Sequence, residues 1–197
     1  MENYPIYLNI QHFKCLVVGG GRVAYRKVLY LVEVGAKPVI VSPHMTDELT
    51  ELVNVNRLEV YARPYEPSDM QNFQLIIAAT NNKVLNDEIA QQAINLKLLV
   101  NNITNSTQCT FQMPAVIRRE GLEIAIGTGG GLPYVSYRLK KHLDEKFTED
   151  KFEVLAEIYA KRKEVLANNQ GDSACRKKAL DAELAPLVDE FIQKLFI

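Results

Sequence analysis

The chain has 197 residues, 47% of them hydrophobic and 24% charged, with a formal net charge of −1 at pH 7. These values are ordinary for a globular protein, and the length suffices for one well-buried core with an appendage or for two small domains. The near-zero charge gives no reason to expect nucleic acid or an anionic membrane surface as a partner.

The first half of the chain alternates apolar runs with segments of helical spacing. Residues 13–18 form a short apolar run bounded by turn residues, which predicts a buried strand. Residues 22–34 have helical spacing, and Gly35 follows where a left-handed C-terminal cap is expected. Further strands are predicted at 37–43, 57–63, 73–80 and 97–102, and further helices at 45–55 and 81–96. This alternation predicts a parallel sheet in a layered α/β fold.

The second half has a different pattern, which begins where the periodicity breaks at residues 103–115. A strand is predicted at 122–128, a second glycine cluster at 129–133 and a helix at 133–147. From Thr148 onward the composition shifts to Lys, Glu, Ala and Leu, with a turn at 168–173. This predicts a helical hairpin over 148–197, a pattern that usually serves packing or partner binding.

The stretch GGGRVA at 19–24 fits the G-x-G-x-x-G/A fingerprint of dinucleotide sites. Gly19 would permit the tight turn, Gly21 the close approach of a diphosphate, and Ala24 the close packing of helix on strand. The diphosphate would then lie at the N-terminus of the following helix, beside Arg22 and Val23. The alternative is a glycine-rich turn without a ligand. Because the cluster joins a predicted strand to a predicted helix, the context favours nucleotide binding.

The end of the second predicted strand leaves the type of dinucleotide open. An acidic residue there would bind the ribose hydroxyl of NAD, and an arginine would suit the 2′-phosphate of NADP. The chain has Ser42, Pro43 and His44 instead. Spacing alone therefore does not distinguish NAD from NADP.

Polar residues follow two other predicted strands, at the edge where open α/β sheets bind ligands. They are Thr80 and Asn81 after the fourth strand and Asn101 in the last. These residue types also suit helix caps, so capping and cofactor contact are both open.

The three cysteines are far apart and form no CxxC pair, which is typical of a reducing cytosol. Residues 1–13 lack the basic start and continuous apolar core of a signal peptide, and no apolar run reaches the length of a membrane span. A soluble, cytoplasmic protein is expected.

Several motifs occur together in one order: PIYLNIQHFKCLVVGGGRVAYRK, LIIAATNN, FQMPAVIRR and LEIAIGTGGGLP. Over residues 3–146 the chain resembles the precorrin-2 dehydrogenase family, found alone or as the N-terminal module of siroheme synthase. The stretches GGGRVAYRK, FQMPA and TGGGLP occur together in this family, whereas generic dinucleotide-binding proteins share only the first.

The resemblance implies NAD-dependent oxidation of precorrin-2, a tetrapyrrole, to sirohydrochlorin in siroheme biosynthesis, with iron insertion in some members. It implies a homodimer with a Rossmann domain at 1–112, a dimerisation and substrate-site segment at 113–147 and a helical domain at 148–197. Expected cofactor contacts are Gly19, Gly20, Gly21, Arg22, Val23, Ser42, Pro43, His44, Thr80, Asn81 and Asn101. Expected tetrapyrrole contacts are Met113, Pro114, Arg118, Thr128 and Gly129.

The chain departs from the family at an aspartate that is assigned roles in both chemistries. The matching stretch is VNNITN, which places Thr104 at that position and Asn105 after it. Neither side chain acts as a carboxylate base at neutral pH. Because metal insertion calls for a base and a metal ligand, we expect a dehydrogenase without efficient chelatase activity and without a metal site. The proton acceptor is left open.

A polycarboxylate substrate calls for arginine or lysine. The candidates are Arg118, Arg119, Arg138, Lys140 and Lys141, for which a solvated basic face is the alternative. Cys109 fits a buried inert thiol. Two other functions stay open: a tetrapyrrole-binding protein without catalysis, and an NAD-binding sensor module, although a sensor would normally have the acidic residue after the second strand.

Overall fold

The structure is a computed structural model that describes residues 3–148, 152–169 and 173–196. It contains two compact units, Met1–Met113 and Pro114–Ile197. No helix in the described ranges is both long and apolar enough to cross a bilayer.

The first unit is a five-stranded, wholly parallel sheet with three α-helices. Its strands are β1 (Cys15–Val18), β2 (Val39–Val41), β3 (Val60–Tyr61), β4 (Leu75–Ala78) and β5 (Leu99–Asn102). Its helices are α1 (Arg22–Glu33), α2 (Asp47–Asn56) and α3 (Lys83–Asn95), with 3-10 turns at Pro67–Met70 and Ser106–Gln108. The sheet order is β3-β2-β1-β4-β5. Every strand and helix predicted before residue 103 is therefore confirmed, each shorter than predicted.

Both faces of the sheet are buried, which explains its continuous apolar runs. Cys15 and Val17 point to the face covered by α1 and α2, and Leu16 and Val18 point to the face covered by α3. Ala24 of α1 is fully buried against the first face, so helix and strand pack as closely as the fingerprint predicts.

Short connections place the helix N-termini at the carboxyl edge of the sheet. The Oγ1 of Thr46 accepts from Leu49 N at 3.4 Å and begins α2, and the Oδ1 of Asn82 accepts from Leu85 N at 3.2 Å and begins α3. At the other end of α1, Gly35 has the predicted left-handed conformation, with φ +85°. The polar strand ends are thereby gathered at one edge.

The second unit begins with an antiparallel hairpin of β6 (Ala115–Arg119) and β7 (Leu122–Ile126). β7 is confirmed, but β6 was missed, because its three apolar residues are followed by two arginines and come at the end of the irregular segment 103–115. The Glu-Gly pair between the two strands was the sequence signal that could have revealed the hairpin. Glu120 and Gly121 both have positive φ, as a two-residue type I′ hairpin turn requires.

In the described part of the second unit three α-helices follow: α4 (Pro133–Lys146), α5 (Glu153–Asn168) and α6 (Ser173–Phe196). Phe152 packs edge-to-face between Phe147 and Phe191, with ring centroids 6.0 and 5.8 Å apart, in a cluster that includes Ile117 of β6. The two helices predicted in 148–197 are confirmed, and the predicted turn at 168–173 includes 170–172, which lie outside the described residues. The three-part domain division stays a prediction.

Candidate functional site

The glycine turn lies directly after β1, where the strand order of the sheet reverses between β1 and β4. Gly19 has φ +123°, a conformation that side chains disfavour, and a Cβ there would overlap the carbonyl oxygen of Ala79 after β4. Its N–H donates to Val41 O at 2.9 Å. Gly19 therefore makes the tight turn that the sequence predicts.

The next two glycines differ in what surrounds them. A Cβ on Gly20 would overlap the carbonyl oxygen of His44 and lie 2.7 Å from the Oγ of Ser42, so the protein's own packing requires glycine there. A Cβ on Gly21 would meet no protein atom within 4 Å. Gly21 is the N-cap residue of α1 and provides no side-chain hydrogen bond to the helix. Open space therefore faces an uncapped helix N-terminus, which fits the diphosphate of a dinucleotide.

The loop after β2 packs against this turn. The hydroxyl of buried Ser42 donates to His44 O at 2.6 Å, and Gly20 O accepts from Thr46 N at 2.9 Å. Pro43 and His44 are exposed at the carboxyl edge, as are Arg22 and Asn81. Ser42 thus shapes the loop, while its exposed neighbours face outward at the place where the predicted cofactor contacts fall.

Asn86 of α3, which sequence reasoning did not single out, organises the end of β4. Its side chain is fully buried; Oδ1 accepts from Thr80 N at 3.0 Å and Thr80 Oγ1 at 2.7 Å, and Nδ2 donates to Thr80 O at 3.0 Å. Nδ2 also lies 3.4 Å from Thr104 Oγ1. One amide therefore holds two strand ends together at the crevice. Its sequence signal was a polar residue at a position where the helical spacing of α3 calls for an apolar one.

Thr104 and Asn105, the positions of the family's aspartate region, belong to the same polar network. Thr104 donates from its N–H at 2.9 Å and its hydroxyl at 2.8 Å to the Oδ1 of Asn102. Asn105 accepts from Thr107 N at 3.2 Å and from Thr107 Oγ1 at 2.7 Å. Both neutral side chains are thus engaged with the chain itself.

A carboxylate that sequence reasoning missed lies beside them. Oδ1 of Asp87 on α3 accepts from Asn102 Nδ2 at 2.8 Å and from Asn105 Nδ2 at 3.4 Å. Asp87 is separated by 15 and 18 residues from these partners, so no local motif shows the contact. The structure therefore places a carboxylate beside the position at which the resemblance implies an aspartate.

Asn101, a predicted cofactor contact, is buried and donates to Phe111 O at 3.2 Å. Cys109 Sγ accepts from Asn102 N at 3.2 Å, and burial raises the pKa of this thiol, so it is protonated at neutral pH. These contacts shape the segment 109–111 that follows the sheet. They favour an inert Cys109, as the sequence predicts.

The predicted tetrapyrrole contacts are divided between the two units. Met113 ends the first unit, and the others lie in the second. Arg118 pairs with Glu123, with Nε and Oε1 2.6 Å apart. Thr128 Oγ1 accepts from the buried Ser136 at 3.3 Å, and a Cβ on Gly129 would meet nothing within 4 Å. These assignments, like that of Pro114, stay predictions.

The other basic candidates mostly pair with carboxylates of α4. Arg119 and Lys140 both contact Asp144, at 3.3 and 3.6 Å, and Lys141 lies 4.0 Å from Glu145. This pairing favours the interpretation of these residues as a solvated basic face over their interpretation as a substrate site. Within the part of the chain that the structure describes, no three His, Cys, Asp or Glu residues form a group that could hold a metal ion.

Asn86→Ala is expected to lower the free energy of unfolding by about 2–4 kcal/mol, since it removes a fully buried amide that bonds both the N–H and the carbonyl oxygen of half-buried Thr80. Urea denaturation of both proteins measures it. Asn82→Ala is the matched control: it removes only an exposed N-cap hydrogen bond from the same helix and should cost about 1 kcal/mol. Equal losses in the two variants would contradict the role assigned to Asn86.

An open parallel sheet whose order reverses at a glycine turn, followed by an uncapped helix N-terminus, defines a dinucleotide-binding domain of the Rossmann type. The family described as putative NAD(P)-binding matches residues 6–115, more than half of the chain. The chain belongs to this family.

Siroheme synthases are among the relatives of this chain. The siroheme synthase of Acinetobacter baylyi is 37% identical over 145 residues, which are 73% of this chain and 32% of that protein. The siroheme synthase of Xylella fastidiosa is 32% identical over 192 residues, 97% of this chain and 40% of that protein. The chain thus spans less than half the length of these relatives.

A solved structure described as "SirC, precorrin-2 dehydrogenase" is similar over nearly its whole length. It is 25% identical, with a TM-score of 0.73, and the match covers 98% of both chains. The α/β fold with C-terminal helices is therefore confirmed, as is the resemblance to the siroheme family.

Proposed function

We propose that the chain is an NAD-dependent dehydrogenase that oxidises precorrin-2 to sirohydrochlorin in siroheme biosynthesis. The observation that supports it most is the open space at Gly21 before an uncapped helix, at the point where the strand order reverses. The substrate is proposed from the similarity to siroheme synthases and to SirC.

The oxidation removes two hydrogens from the substrate, one as a hydride and one as a proton. The nicotinamide ring supplies the hydride acceptor when NAD is bound. The N–H groups at the start of α1, from Arg22 and Val23, bind the diphosphate. Loop 42–44 with Thr80 and Asn81 orients the rest of the cofactor.

We assign the proton acceptor to Asp87. Both amide hydrogen bonds given above use its Oδ1, so Oδ2 is left to take the proton. Asn102 and Asn105 hold the carboxylate in place, and Thr104 fixes Asn102 in turn. In this assignment Thr104 and Asn105 position the group that accepts the proton.

We further propose that metal insertion is inefficient. A chelatase must remove two pyrrole protons while holding the metal, and Thr104 and Asn105 are neutral groups already hydrogen-bonded to the chain. Asp87 is then the one carboxylate in this network, and its Oδ1 already accepts two amide hydrogen bonds.

A homodimer in the cytoplasm is also proposed. Leu132, the N-cap residue of α4, is exposed together with Tyr134 and Tyr137 in the first turns of that helix. This apolar surface is consistent with the dimerisation segment that the resemblance implies. Analytical ultracentrifugation measures the oligomeric state, and a monomer at micromolar concentration would contradict the dimer.

The function is tested by anaerobic incubation of the purified protein with precorrin-2 and NAD, or NADP in parallel. Sirohydrochlorin and NADH are expected in equal amounts, and added ferrous ion should be inserted no faster than without protein. Binding of both ligands without oxidation would support the inactive tetrapyrrole-binding protein. Binding of NAD alone would support the sensor module. Rapid metallation would contradict the proposed division of activities.

A further inference from the structure

Lys27 of α1 has an unusual environment for a lysine. Its side chain is half-buried, and its Nζ lies 3.3 Å from the Sδ of Met113. Burial lowers the pKa of this ammonium, and the neighbouring Arg26 lowers it further. The folded protein therefore holds a positive charge partly out of water.

The partner that the protein provides does not match this charge. A thioether sulfur is a weak acceptor, whereas an ammonium has three strong donors. Across the described residues, no carboxylate lies within ion-pair distance of Lys27, although eight other basic–acidic pairs form. A desolvated charge without a counter-ion is costly, so an anion from outside the chain would improve the site.

The position of Lys27 indicates which anion. It lies six residues beyond Gly21 on α1, which is about 9 Å along the helix axis from the place of the diphosphate. Its contact, Met113, is in the FQMPA segment where tetrapyrrole binding is expected. The dinucleotide has its charge at the helix N-terminus, whereas a polycarboxylic tetrapyrrole presents charge around its rim.

We propose that Lys27 binds a carboxylate of the tetrapyrrole beside Met113. This inference rests on the proposed function and deepens it, because it assigns a substrate-anchoring residue in the first unit. Lysine in this role acts as a flexible point charge, so arginine replaces it only in part.

Sirohydrochlorin, titrated by absorbance into the NAD-loaded protein, is the probe. Lys27→Met keeps the apolar stem and removes the charge, and its Kd for sirohydrochlorin is expected to rise at least about tenfold. Lys27→Arg should retain part of the affinity. The control is Arg26→Met, which removes one exposed positive charge from the same helix and should change the Kd less than about threefold.

Two further measurements separate a direct contact from other effects. Sirohydrochlorin octamethyl ester has no carboxylates, so its Kd should be the same for the wild type and Lys27→Met, and this comparison also detects a variant that is misfolded. The Kd for NAD should be unchanged. Should Lys27→Met not fold, Lys27→Gln provides the same comparison.

The outcomes are distinguishable. Equal Kd values for sirohydrochlorin in the wild type and Lys27→Met would overturn the inference alone and leave the proposed function standing. A weaker Kd for NAD with unchanged sirohydrochlorin binding would overturn it in favour of a diphosphate contact. If the wild type binds no sirohydrochlorin, the proposed function and the inference both fail.

Discussion

Gly21→Ala is expected to weaken NAD binding at least about tenfold while it leaves the unfolding temperature within about 2 °C of the wild type. The added Cβ meets no protein atom within 4 Å, and the backbone at Gly21, with φ −85° and ψ −176°, is one that alanine adopts without strain. The folded state therefore loses nothing. The space that the Cβ fills is the space where the diphosphate would approach the helix N-terminus.

The matched control is Gly20→Ala, one residue earlier. Its Cβ would collide with the backbone of His44, which a side-chain movement cannot relieve, so this variant should lose on the order of 3 kcal/mol of stability or fail to fold. Isothermal titration with NAD and thermal unfolding measure both effects. If Gly21→Ala bound NAD as tightly as the wild type, the diphosphate would not lie at this turn, and the placement of the cofactor would be wrong.

Gly20 and Gly21 show which features of the site the sequence predicts and which it does not. The fingerprint predicted the turn and the helix correctly, because both depend on residues adjacent in the chain. It did not distinguish the roles of Gly20 and Gly21, since one is required by the loop after β2 and the other faces open space. That difference depends on the loop after β2, which lies far from the glycines in the sequence.

The polar groups of the site show the same division. Asn82 could be predicted as a helix cap from its place between a strand and a helix, and it caps α3. Asn86 and Asp87 could not be assigned, because their partners come from the ends of β4 and β5 and from the loop that follows. Lys27 was read as part of a motif, and only the fold brings it to Met113. Local patterns predicted the strands and α-helices of the first unit, while side-chain partners depended on how the sheet is ordered.

Position 104 carries no carboxylate, but Asp87 provides one in the same network, and this leads to a second large effect. Asp87→Asn is expected to lower kcat for precorrin-2 oxidation about 10²–10³-fold, because an amide does not accept the proton at neutral pH. The change is nearly isosteric, and the new Oδ1 still accepts from Asn102, so the unfolding temperature and the Kd values for NAD and sirohydrochlorin should change little.

Single-turnover measurements of NADH formation test the assignment. Thr104→Asp in the Asp87→Asn background restores a carboxylate in the same network and should recover part of the rate. A purely structural role for Asp87 would not predict this recovery. If Asp87→Asn turned over at the wild-type rate, the proton would leave by another route, through solvent or a carboxylate of the substrate itself.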